Sequence, residues 1–161
     1  MTSNILFIGY GNPGRLDDGL GPACADALTA RKLEGVTVDA DYQLTVEDAA
    51  AAAAHAVVIF ADAAVNGPEP FAFRPVRPVM AGGFSTHSVE PEAVMGMAHT
   101  LFGATTRGFA LAIRGYAFNA FGEELSPRAR VNLDAATRFI EQVIRDNRFA
   151  DFERVTEQRL R

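Results

Sequence analysis

Cysteine occurs once, at Cys24, so the chain can form no internal disulfide and no multi-cysteine zinc site. Basic residues are outnumbered: 15 Lys and Arg against 20 Asp and Glu leave a net charge of -5. That excludes the clustered cationic surface on which nucleic-acid binding depends. No apolar run approaches the roughly 18 residues of a membrane span. The opening segment lacks a charged n-region, and its apolar run from Ile5 to Ile8 is too short for a signal peptide. A cytoplasmic protein without nucleic-acid or membrane partners is expected. The hydrophobic share of 48% over 161 residues supports one domain, 1–161, with a real core, and leaves no room for a second.

Apolar runs and helical patterns alternate along the chain. Asn4 to Ile8, closed by Gly9, predicts a buried strand, and Val36 to Ala40 a second. Ala56 to Ala61 predicts a third that ends at Asp62, and Phe109 to Arg114 a last one. Phe71 to Pro75, flanked by Pro70 and Pro78, suits an edge strand. Helices are predicted from Pro22 to Leu33 with Ala23, Ala27 and Leu28 on one face, and from Val46 to His55 with Thr45 as N-cap. Another spans Glu90 to Phe102, its apolar face formed by Val94, Met97, Ala98 and Leu101. Ser126-Pro127 opens a long helix in which Leu133, Ala136, Ile140, Val143 and Ile144 recur at helical spacing. The charged tail after Asn147 either continues that helix or frays. This order predicts an α/β three-layer sandwich, a twisted, mostly parallel sheet of about five strands with helices on both faces.

In such sheets ligands bind beyond the carboxyl ends of the strands, where strand order reverses. Three polar clusters fall at those ends. They are the loop from Gly9 to Gly21 carrying Asp17 and Asp18, Asp62 in FADAA, and His87 in GGFSTHS. If the first and third strands are neighbours, Asp18 and Asp62 meet in one crevice that the loop of His87 could close. Two carboxylates and an imidazole with open positions suit a divalent transition metal such as nickel or zinc. Plainer roles compete: an Asp after a strand often forms a turn or caps a helix, and a lone loop His is commonly a surface residue. His55 and His99 sit on helical segments and receive no role. Cys24, inside a helix, reads as a small hydrophobe.

Gly9 to Gly14 also matches the dinucleotide fingerprint G-x-G-x-x-G, with Asp39 or Asp41 where a ribose-binding acid would sit. In such a site the third glycine opens a helix whose amides hold the pyrophosphate. Here Pro13 removes an amide, Gly19, Gly21 and Pro22 delay the helix, and Asp17 and Asp18 would repel the phosphates. Covalent catalysis is disfavoured as well, since Ser85 lacks the glycine pattern of a nucleophile elbow.

The stretch ILFIGYGNPGRLDDGLGPACADAL resembles the opening of the hydrogenase maturation proteases: an apolar strand, G-x-G-N, a short loop, an acidic pair, and G-x-G leading into a helix. The strand ending in Asp, VVIFADAA, and the Ser85-Thr86-His87 loop resemble that family's second and third signatures. The resemblance implies that Asp18, Asp62 and His87 are the metal-contacting, catalytic set, with Asp17 the adjacent alternative to Asp18. It implies a nickel-dependent endopeptidase that removes the C-terminal extension of a [NiFe]-hydrogenase large-subunit precursor, the nickel being carried by that precursor. One departure stands out: many members carry Asp-Gly-Gly after the second strand, where this chain reads Asp41-Tyr42-Gln43-Leu44. The competing functions are a non-catalytic metal-binding checkpoint or chaperone on the same fold, and a dinucleotide-binding module.

Overall fold

The computed structural model describes residues 4–79 and 89–153. Ser85 and His87 lie outside the described residues. Five strands form one sheet: β1 Ile5–Tyr10, β2 Val36–Asp41, β3 Val57–Ala64, β4 Phe71–Val76 and β5 Arg107–Arg114. Their order is β2-β1-β3-β5-β4. The first four in that order run parallel, and β4 pairs antiparallel at the edge, as its prolines predict.

Buried strands point alternate residues to opposite faces, so each needs a helical layer on both sides. Ile5, Phe7, Val57, Ile59, Phe109 and Leu111 pack in one core with α1 (Leu20–Ala30) and α4 (Pro127–Asp146). Leu6, Ile8, Val58 and Phe60 pack in the other with α2 (Glu47–Ala53) and α3 (Pro91–Phe102). The three-layer sandwich predicted from the alternating elements is the observed architecture.

Several details differ from the sequence reading, each for a local reason. A 3-10 turn, Leu16–Gly19, feeds directly into α1, which therefore begins at Leu20 rather than Pro22. Pro22 falls in the first turn, where its missing amide costs nothing. The buried face of α1 is Leu20, Gly21, Cys24, Ala25 and Leu28, with Ala23 and Ala27 at its margin. Before α2 it is Asp48 that reaches back to the Thr45 amide (2.8 Å), so Thr45 is held by the helix instead of capping it. Leu101 does not join the apolar face of α3; it is 69% exposed near the helix's last residue. The tail does not fray at Asn147. That residue takes the left-handed conformation (φ 50°) and a short helical segment, 149–153, follows. Phe149 is buried against Phe109, and Phe152 stacks edge-on to Phe73 and Phe139.

The start of α1 meets the sheet backbone to backbone. A Cβ on Gly21 would lie 2.2 Å from the Tyr10 carbonyl oxygen and 2.6 Å from that of Ala61. Only a residue without a side chain fits there. Gly21→Ala should therefore cost about 2–4 kcal/mol of unfolding free energy, since backbone atoms on both strands must move. Urea denaturation of the two proteins measures it, and a loss under about 0.5 kcal/mol would contradict the close seating.

Candidate functional site

The crevice opens where β1 and β3 part. Their pairing stops at Gly9 with Ala61, whereas β3 continues beside β5 through Asp62, Ala63 and Ala64. Asp62 therefore lies within β3, two residues before its end, and not just after the strand as the sequence suggested. The longer partner β5 extends the ladder. By the alternation of the strand, Asp62 continues the row of Val58 and Phe60, and Tyr10 continues that of Leu6 and Ile8. The Tyr10 phenol lies beside the Asp62 carboxylate, and the Ala63 amide donates to Asp62 Oδ1 at 2.8 Å.

Burial raises the Asp62 carboxyl to about 7, and the negative charges of Asp18 and Glu90 act in the same direction against the bonds from Ala63 and Tyr10. Burial and the nearby Asp62, Glu90 and Glu92 push the Tyr10 phenol upward, so it stays protonated as a donor. The crevice thus concentrates negative charge: the charged neighbours that most affect Asp62 are acids. Such a site favours a bound cation, which would relieve both repulsion and desolvation.

Asp18 reaches this crevice from the 3-10 turn and accepts the Asn12 amide on Oδ2 (2.8 Å). Gly11 makes that geometry possible. It adopts φ 139°, and a Cβ there would sit 2.1 Å from the Asp18 carbonyl oxygen. The neighbouring acid is placed oppositely. Asp17 is fully buried and accepts four bonds, from the amides of Tyr116 (2.8 Å), Ala117 (2.9 Å) and Ser126 (2.8 Å) and from Ser126 Oγ (2.7 Å). Burial alone would raise its carboxyl, but those donors outweigh it and hold Asp17 below the ordinary value. Asp17 is a structural anchor with no free face for a ligand, which leaves Asp18 as the acid presented to the crevice.

Sequence reasoning left Asp17 as an alternative ligand and missed Tyr10 and Glu90. The alternation of β1 could have placed Tyr10 beside Asp62; no sequence signal points to Glu90, which precedes α3. Among the described residues no group of three potential metal ligands comes together, and His87 lies outside them. Cys24 is buried, shares a 3.7 Å contact with Thr137 Oγ1, and has its thiol pushed up to about 11 by burial. It is no nucleophile. Among the described residues no helix is long and apolar enough to cross a membrane.

Solved structures resemble this arrangement over most of the chain. A [NiFe] hydrogenase maturation protease, HycI, from Thermococcus kodakarensis superposes with a TM-score of 0.69 at 21% identity, covering 89% of this chain and 94% of that one. The hydrogenase maturating endopeptidase HybD from E. coli gives 0.70 at 18%, covering 89% and 93%. The hydrogenase 2 maturation peptidase from a Thaumarchaeota archaeon gives 0.64 at 19%, covering 88% and 98%. The chain has the fold of the hydrogenase maturation proteases. No protein-family model and no curated protein sequence matches it. The residues flanking the departure at Tyr42-Gln43 are tied to the fold. The Asp41 carbonyl accepts the Gly11 amide (3.0 Å), and Leu44 is buried in the core shared with α2 and α3. Tyr42 between them is exposed.

The opposite environments of Asp17 and Asp62 predict opposite responses. Asp17→Ala strands three amides in the interior and should cost about 3–5 kcal/mol at neutral pH. For Asp62 the folded carboxyl titrates at about 7 against an ordinary 3.8. The folded state then binds the extra proton, and wild-type stability falls as pH rises from near 4 to near 7. Asp62→Asn removes that penalty. Discounted for partial exposure, it should stabilise the metal-free protein by on the order of 1–2 kcal/mol at pH 8, the gain vanishing near pH 4. Denaturation curves across that range check the sign, and a pH-independent difference would contradict it.

Proposed function

We propose that this chain is a hydrogenase maturation endopeptidase, which removes the C-terminal extension of a [NiFe]-hydrogenase large-subunit precursor. The observation that carries the reading is the approach of Asp18 to Asp62 at the β1–β3 switch point, on the fold of proteins named as hydrogenase maturation proteases. The substrate is a folded precursor that already holds nickel. Asp18 and Asp62 supply two oxygen donors to that ion, and His87 supplies a nitrogen donor in this proposal. The donor set fits a borderline divalent metal, and the crowding of negative charge around Asp62 gives it a reason to enter.

Recognition through the metal would couple cleavage to completed insertion, because the precursor is gripped only when the ion is present. Grip also positions the scissile bond, a proximity effect. A nickel ion at this point supplies Lewis acidity toward the carbonyl or toward water. Asp62 presents a carboxylate suited to take a proton from the attacking water, with the Tyr10 phenol beside it. Asp18, fixed by the Asn12 amide, orients the ion. The amide bond breaks as water adds to the carbonyl and the leaving amine takes the proton. No nucleotide and no covalent enzyme intermediate enters this scheme.

The test is processing of nickel-loaded precursor, read as loss of the C-terminal peptide by mass spectrometry. Asp18→Asn, Asp62→Asn and His87→Ala should each slow cleavage by about a hundredfold or more, and nickel-free precursor should stay uncut. Full cleavage by all three variants removes the site assignment. Preference for nickel-free precursor removes the sensing role. Tight nickel-dependent association with no loss of mass would make the chain a checkpoint and not a protease.

A further inference from the structure

The loop that follows β5 carries Phe121, which is 93% exposed. A single exposed aromatic on a loose loop means little. This loop is fastened to the first loop along its length. Gly122 exchanges two backbone bonds with it, accepting the Leu16 amide and donating to the Gly14 carbonyl, both at 2.8 Å. Leu16 packs against Gly122 so closely that a Cβ there would meet its Cδ2 at 2.9 Å. Arg15 Nε donates to the Phe118 carbonyl at 2.9 Å, and the Asp17 amide to that of Ala117 at 2.9 Å. The Asp17 carboxylate fixes both ends, at residues 116–117 and at Ser126. Phe121 is therefore displayed by a frame whose ordering is already complete in the free protein, the condition under which an exposed aromatic is most effective in binding.

Between the two fastened loops lies a recess walled by Asn12, Arg15, Asn119, Ala120 and Phe121. It borders the crevice at Asn12, whose amide holds the Asp18 carboxylate. Arg15 and Phe121 are both exposed, and in a chain of net charge -5 that guanidinium stands beside an otherwise uncharged recess. Its Nε bond to Phe118 sets the plane of the fork, while the carboxamide of Asn119 adds a donor and an acceptor. Side-chain donors, one aromatic face and a wall shared with Asp18 through Asn12 match an extended polypeptide, whose carbonyls need donors and whose side chains need apolar cover.

Resting on the endopeptidase reading above, we propose that this recess is the subsite that receives the precursor's chain next to the bond to be cut. Phe121 covers an apolar side chain of that segment, and Arg15 and Asn119 bond its backbone carbonyls. Phe121 is then a residue of substrate affinity and takes no part in the chemistry.

The experiment uses the full chain and a nickel-loaded large-subunit precursor encoded in the same genome, with KM and kcat for processing and Kd for association measured side by side. Phe121→Ala should raise KM and Kd about tenfold with kcat within about twofold of wild type, and with an unchanged melting temperature. Phe121→Tyr, which keeps the ring, should restore both constants. Leu101→Ala, at another exposed apolar residue but at the opposite end of α3 from Glu90, should leave them alone. Wild-type KM and Kd in Phe121→Ala overturn the subsite while cleavage by the parent protein leaves the endopeptidase reading standing. A fall in kcat alone overturns it too. If the parent binds the precursor without cutting it and Phe121→Ala weakens that binding, the recess stands and the endopeptidase reading falls. A parent protein that neither binds nor cuts overturns both.

Discussion

The buried carboxylate of Asp17 is the constraint around which the functional end of this molecule is assembled. A carboxylate withdrawn from water is costly unless its lone pairs are filled, and here four donors fill them. The donors come from distant parts of the chain: the turn after β5, and Ser126, whose side chain also caps α4 by accepting the Ala129 amide. One side chain thus joins the first loop, the last loop and the start of the longest helix. Its stabilising effect has a definite pH range. Because the folded carboxyl titrates below the unfolded one, the contribution is complete above the ordinary carboxylate range and is lost as pH falls through the depressed folded value.

That anchor explains how adjacent acids acquire opposite characters. In a 3-10 turn successive side chains point about 120° apart, so when Asp17 turns inward its neighbour must face elsewhere. Asp18 faces the crevice, held by the Asn12 amide. Asp62 completes the contrast. Asp17 and Asp62 are the same residue type, yet one is surrounded by donors and driven down, and the other is desolvated beside negative neighbours and driven up to about 7. Environment alone sets the two carboxyls apart. The same inward turn of Asp17 fastens the segment that displays Phe121, so the placement of Asp18 and of Phe121 rests on one side chain.

What could be read before the structure follows the range of the interactions involved. Alternating apolar runs fix strands locally, so the layered sheet and the neighbouring β1 and β3 were legible, as was the edge position of β4 from its prolines. The role of Asp17 was not, because its partners lie 99 to 109 residues away. Strand ends were misjudged for a related reason: β3 runs past Asp62 only because β5 is there to pair with it. Leu101 satisfies the period of α3 and yet faces solvent near the helix end, and no pattern along one helix reveals where its partner surface stops. The tail looked charged and loose, but Phe149 and Phe152 find Phe73, Phe109 and Phe139, aromatic partners supplied by three other elements.

The glycine-rich loop shows why spacing alone misleads about chemistry. A pyrophosphate cradle needs free amides converging at a helix start. In this loop the amides are engaged from within: Asn12 donates to Asp18 Oδ2, Gly14 to Asn12 Oδ1 at 2.9 Å, and Arg15 to the Asn12 carbonyl at 3.1 Å. The helix starts only at Leu20, after two acids. Glycine is required here for closeness: Gly21 lets the helix start touch two strands, and Gly11 lets the loop close over Asp18. Donors that would have bound an anion from solvent are committed within the loop, one of them to the Asp18 carboxylate. Holding Asp18 in this way sets a carboxylate where a dinucleotide site would place a phosphate. The sequence motif is nearly the same in both cases; the acid at position 18 decides which.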